Sequence, residues 1–152
     1  MITRQEIESI LRQNDHNRLE EAVKAHPKTI RLLMGFLYHQ EEGLRDAAAQ
    51  GFGIAARILP LEKLKDLIRR MMWMLNDESG SCSWHVPYAL GEIGYNNPEA
   101  IKDFVGCLSH YADDPDEYLR TGVRSALKRI KETGRDFKDE GYVVIRSARK
   151  RK

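Results

Sequence analysis

Apolar runs long enough to cross a membrane are missing from this chain of 152 residues, because charge interrupts them every few positions, far short of the ~20 needed. Its first residues, MITRQEIESILRQ, lack the basic start and apolar stretch of a secretory leader, so the chain is expected to stay in the cytoplasm. Cysteine is scarce, at two residues, which excludes a disulfide scaffold and predicts reduced thiols in that compartment. Strand-like alternation is absent between residues 1 and 133. That removes the strand-preceded phosphate loops: Gly51-x-Gly53 falls inside a helical pattern. No Gly-x-Ser-x-Gly nucleophile turn stands in a strand-turn-helix setting either. Asn76 to Gly80 has oxygen donors without the twelve-residue calcium pattern and reads as a capped turn. A surplus of one charge is also lacking, since 25 Lys and Arg face 23 Asp and Glu. Five of the positive charges, Arg146, Arg149, Lys150, Arg151 and Lys152, sit in the last seven residues, so the net +2 of the chain leaves −3 for the body. A nucleic-acid-binding face spreads its basic residues over a folded surface. Here the excess reads as a solvated end, and no nucleic-acid partner is expected of the body.

What the chain has is apolar residues at helical spacing almost throughout, on a background of 41% hydrophobic and 32% charged residues. The fold class is therefore all-α. Breaks fall at Asn14-Asp15, His26-Pro27, His39 to Gly43, Pro60, Asn76 to Ser83, Asn96 to Pro98 and Ala112 to Pro115, leaving about eight helices. With Leu44-Arg45 set on Leu119-Arg120 and Cys82 between them, three segments align at offsets of 38 and 37 residues. Ala48, Val86 and Val123 then coincide, as do Gly51, Ala89 and Ala126; Phe52, Leu90 and Leu127; and Ala55, Ile93 and Ile130. Their i, i+3, i+4, i+7 spacing is one helix face. Small residues at the Gly51/Ala89/Ala126 position predict close approach of a neighbouring helix. Each segment also has a preceding helix with its own stripe: Ile30, Leu33, Phe36 and Leu37; Leu61, Leu64, Ile68, Met71 and Leu75; Ile101, Phe104, Val105 and Leu108. A two-helix unit with a period near 38 cannot bury its apolar face alone, which is the logic of an α-solenoid.

Ala89-Leu90-Gly91-Glu92-Ile93-Gly94 and Tyr118 to Ile130, YLRTGVRSALKRI, resemble the second helix of HEAT-like repeats, the short kind also found in phycobilisome lyase subunits. Asp114 and Arg120 match that pattern in the third segment and Arg45 in the first, whereas Ser83 stands at the arginine position of the second. The resemblance covers about residues 27 to 132. It implies a right-handed α-solenoid: a capping helical pair at residues 1–26, repeats at 27–59, 60–96 and 97–133, and a tail at 134–152. In that tail Tyr142 to Ile145 favours an extended backbone before the basic end. Such repeats mostly supply stacking surfaces for other proteins, which implies a non-enzymatic interaction module, a monomer or weak homodimer, without a cofactor. HEAT-like metal hydroxylases carry adjacent His-Glu pairs, and no histidine here is followed by Glu. Two rival expectations are an accessory subunit of a lyase or other cofactor-handling enzyme, and a nucleic-acid-associated protein led by the tail, whose binding would be steeply salt-dependent.

The candidate site lies on the helix after Ser83. If Val86, Ala89, Leu90 and Ile93 face the core, Trp84, Tyr88, Gly91 and Tyr95 form a stripe on the other side. The matching stripes, Asp46, Gln50, Gly53 and Arg57, and Thr121, Ser125, Lys128 and Glu132, carry no aromatic. Trp84, Tyr88 and Tyr95, flanked by His85 and Glu92, therefore read either as a partner-binding surface or as a ridge covered by the protein's own chain. His85 and Glu92, seven apart, form a candidate hydrogen-bonded pair without a nucleophile beside it, so no catalytic residue is assigned. Cys82-x-x-His85 and Cys107-x-x-His110 could converge on one edge as a Cys₂His₂ set, though neither spacing is an established zinc pattern and no metal is assigned. Pro87, four residues after Ser83, predicts a bend where the helix begins that tilts Trp84 and His85 outward.

Overall fold

In the computed structural model, residues 2–76 and 85–135 are described. They are helical throughout, with no strand among them. The helices are α1 (Arg4–Arg12), α2 (His16–Ala25), α3 (Lys28–Phe36), α4 (Glu42–Ala56), α5 (Leu61–Leu75), α6 (Val86–Asn96), α7 (Pro98–Ile101), α8 (Val105–Ser109) and α9 (Glu117–Lys131). Their starts follow the breaks in the sequence. The side chains of Thr3, Asp15, Asn97 and Asp116 accept from backbone N–H groups in the first turns of α1, α2, α7 and α9, satisfying donors that have no intrahelical partner.

The periodic stripes become the core. Leu33, Phe36, Phe52, Leu64, Ile68 and Leu90 are fully buried, each side chain contributing about 1.5–3 kcal/mol of transfer free energy. Ile30 and Phe104 are only partly buried, and Leu61, at the first position of α5, is 39% exposed. The helix expected through Ile101, Phe104, Val105 and Leu108 is not continuous: 3₁₀ turns at Lys102–Phe104 and His110–Asp113 interrupt it. The Ser109 hydroxyl donates to the Gly106 carbonyl at 2.8 Å, a local bond that competes with the helical ladder where α8 ends. The inward residues keep their places, with Ile101, Val105 and Leu108 buried.

Helices α4, α6 and α9 lie side by side and run in the same direction. From α4 to α6, Asp46 meets His85, and further along Gly53 meets Glu92. From α6 to α9, Gly122 meets Pro87, Gly91 meets Ala126, and Gly94 meets Ile130. The pairs climb both helices together, as only parallel neighbours can. Contact is closest at glycine: a Cβ on Gly91 would fall 2.8 Å from the Cα of Ala126, and one on Gly94 would fall 2.7 Å from Ile130 Cγ1. Gly91, expected on the outer stripe, is thus buried between helices. The expected contact at Gly51 is with the preceding layer, where an added Cβ would meet Leu19 at 3.0 Å and Leu33 at 3.2 Å.

The equivalence of the first and third segments extends to their loops. Arg45 Nη1 donates to the carbonyls of His39 and Gln40 at 2.7 and 3.0 Å, and Arg120 Nη1 to those of Asp114 and Pro115 at 3.0 and 3.5 Å. Each arginine reaches back six and five residues. The corresponding Ser83 lies outside the described residues. Helix α1 is tied to the start of α4 by a fork from Arg12 to both carboxylate oxygens of Glu41, at 2.9 Å each. That hydrogen bond holds the Glu41 carboxyl below its ordinary range.

Gly91→Ala is expected to destabilise the protein by about 1–3 kcal/mol, since relief of the contact needs backbone movement of α9. Gly43→Ala, where nothing lies within 4 Å, is expected to be neutral or stabilising by up to about 1 kcal/mol. Urea unfolding followed by circular dichroism compares them; equal effects would show that the α6–α9 contact does not determine the glycine.

Candidate functional site

The three parallel helices enclose a shallow groove of about 380 Å³. Asp46 and Gln50 line it from α4, and Tyr88 and Glu92 from α6. Ser125, Lys128, Arg129 and Glu132 line it from α9. The polar stripes predicted for the first and third segments thus meet the aromatic stripe of the second at one place. Gln50, Ser125 and Lys128 are exposed and make no hydrogen bond or ion pair among the described residues.

His85 and Glu92 do not pair with each other. Parallel packing brings each one closer to a neighbouring helix than to its own next-but-one turn. His85 is 8% exposed and uses both ring nitrogens on α4. Arg45 Nε donates to Nδ1 at 3.3 Å, so Nδ1 accepts and Nε2 donates to Asp46 Oδ1 at 2.7 Å. The imidazole also packs on Tyr88, with ring centroids 4.7 Å apart. His85 is accordingly turned inward, contrary to the outward tilt predicted from Pro87. The reason is the helix start: α6 begins at Val86 with His85 at its N-cap, so Pro87 occupies the first turn, where its missing N–H interrupts no helical bond.

The same two bonds remove His85 from a Cys₂His₂ set with Cys107 and His110. Cys107 is exposed on α8, and His110 lies edge-on to Tyr111. Cys82, the fourth candidate ligand, lies outside the described residues, and no cluster of three metal-ligating side chains occurs among the described ones.

Glu92 accepts from Arg129, at 2.9 Å from Nε and 3.4 Å from Nη2, while Arg129 Nη1 donates to Glu132 at 2.9 Å. The guanidinium lies over Tyr95, 3.6 Å from the ring centroid. Burial opposes the charge on Arg129, but the hydrogen bonds to Glu92 and Glu132 outweigh it and hold the group further into its protonated range. Tyr95 is 37% exposed and Tyr88 half-buried. Burial pushes the Tyr88 phenol up, and the Asp46 and Glu42 carboxylates push it further. Trp84, the first residue of the predicted ridge, lies outside the described residues.

Arg129 and the Arg45–His85 bond were not evident from composition or motif. The 37-residue offset contains the signal for the first: Glu92 and Arg129 are equivalent positions, and equivalent positions on adjacent parallel helices stand side by side. Trp73 is a second residue the apolar stripes pass over; it is 79% exposed on α5, which does not line the groove.

The Glu92–Arg129 pair is expected to couple α6 and α9 by about 1 kcal/mol in a double-mutant cycle of Glu92→Gln and Arg129→Gln measured by urea unfolding. Additive single effects would show that the pair contributes no coupling.

No family model matches the chain, and no solved structure matches it. An uncharacterized protein of Archaeoglobus fulgidus is 34% identical over 103 residues, covering 66% of this chain and 55% of that protein. The chain therefore spans about half the length of this relative.

Proposed function

We propose that the chain is a short right-handed HEAT-like solenoid, and that it acts as a non-catalytic interaction module which binds a protein or peptide segment along the groove of α4, α6 and α9. The observation that carries this reading is the composition of the groove. Three helices place Gln50, Ser125 and Lys128 there without side-chain partners among the described residues, beside a half-buried Tyr88. Aromatic rings and adaptable polar groups on a rigid surface are the makings of a recognition site. The side-by-side parallel helices and the repeated arginine contact of Arg45 and Arg120 support the solenoid reading.

A binding role is favoured over a catalytic one because the titratable groups near the ridge are committed to one another. His85 is held by Arg45 and Asp46, and Glu92 by Arg129, which leaves each structurally employed. No helix among the described residues is long and apolar enough to cross a membrane.

Affinity capture with the wild type, a Tyr88→Ala/Gln50→Ala variant and a Trp73→Ala variant, each shown to be folded by circular dichroism, tests the reading. Proteins retained by the wild type and Trp73→Ala but lost from the groove variant are the expected outcome. Loss on Trp73→Ala alone would move the binding surface to α5 and overturn the groove.

A further inference from the structure

Tyr88 and Tyr95 stand seven residues apart on one face of α6, and the protein fills the position at Tyr95 itself. There the Arg129 guanidinium lies on the ring, its N–H groups shared between Glu92 and Glu132. A ring face combined with two carboxylates suits a planar cation, because the ring quadrupole attracts the charge and the carboxylates take the N–H groups.

Two turns earlier a ring and carboxylates recur, with no cation stacked on the ring among the described residues. Tyr88 lines the groove half-buried, with the His85 imidazole against it. Asp46 lines the groove from α4, gives one oxygen to His85, and keeps a side chain 55% exposed. Glu42 lies one helical turn before Asp46 and makes no ion pair among the described residues. Burial, and after it the Asp46 and Glu42 carboxylates, push the Tyr88 phenol up, which places both acids within electrostatic reach of the ring. Arg45, the cation next in sequence, is directed to the His39 and Gln40 carbonyls and to His85.

We propose that the Tyr88 end of the groove, with Asp46 and Glu42, receives an arginine side chain from a basic peptide segment of a partner protein, as Tyr95, Glu92 and Glu132 receive Arg129. The proposal rests on the groove being the recognition surface and adds the chemistry of what it recognises. Arginine fits better than lysine because its flat fork can stack on the ring while bonding a carboxylate.

The test titrates the ¹⁵N-labelled full chain with N-acetyl-arginine N-methylamide, alongside the matched glutamate and norleucine amides. The expected result is saturable shift changes centred on Tyr88 and Asp46 for the arginine probe alone, weakened by added salt. Tyr88→Ala and Glu42→Gln should each weaken binding about fivefold, while Tyr88→Phe, which keeps a ring face, should bind nearly as well. Retained amide spectra establish that each variant is folded. Equal saturation by the norleucine or glutamate probe at the same residues would overturn the arginine assignment while leaving the groove reading intact. Arginine-induced shifts centred on Trp73 or elsewhere would overturn the site. A full-length Arg149→Glu/Lys150→Glu/Arg151→Glu/Lys152→Glu variant should bind the arginine probe as the wild type does. Tighter binding would assign the position to the chain's own basic end and overturn the partner.

Discussion

The closeness of three parallel helices is the constraint on which the rest of this structure depends. Gly53, Gly91, Gly94 and Gly122 stand where α4, α6 and α9 meet, and at Gly91 the opposing surface is the backbone of Ala126. Side chains there would force the helices apart. At the observed separation, flanking residues of adjacent helices come within hydrogen-bonding distance, so His85 reaches Asp46 and Glu92 reaches Arg129. The groove has the same origin: it is shallow because the helices lie close, with the small side chains of Ala49 and Ala126 at its lining.

Those cross-helix pairs decide what chemistry the surface retains. A histidine and a glutamate on one helix suggest proton transfer when read in isolation. In the folded chain both have structural duties to neighbouring helices, and the groups left over in the groove are the Tyr88 ring, the Gln50 amide, the Ser125 hydroxyl, the exposed Lys128 and the second carboxylate oxygen of Asp46. The pairs also keep the ridge from being a bare hydrophobic face, since Arg129 covers Tyr95 and His85 supports Tyr88.

Helical periodicity was legible in the sequence because it arises from a regular backbone and its buried faces. Ala48, Val86 and Val123, equivalent in the register, are all fully buried. Arg45 and Arg120, equivalent in the sequence alignment of the segments, each donate to the carbonyls six and five residues before them. Gly91 was misplaced because a single-helix projection knows an inside and an outside but nothing of lateral neighbours; glycine served those neighbours. His85 faces inward because the observed N-cap is His85 itself, two residues after the Ser83 cap that the sequence suggests, and a two-residue error in a start rotates every inference about its first turn. The partner of Glu92 was out of reach of motif reading, since it lies 37 residues away and matters only once the helices are known to run parallel.

Parallel alignment has an electrostatic consequence as well. The amino ends of α4, α6 and α9 share one edge, and each brings the partial positive charge of its peptide dipoles. Helices α4 and α9 answer with acids of their own, Glu42 in the first case and Asp116 and Glu117 in the second. Helix α6 has no acid in its first turn. Asp46 is brought to its amino end by the bond to His85, so this helix borrows counter-charge from the neighbour that precedes it.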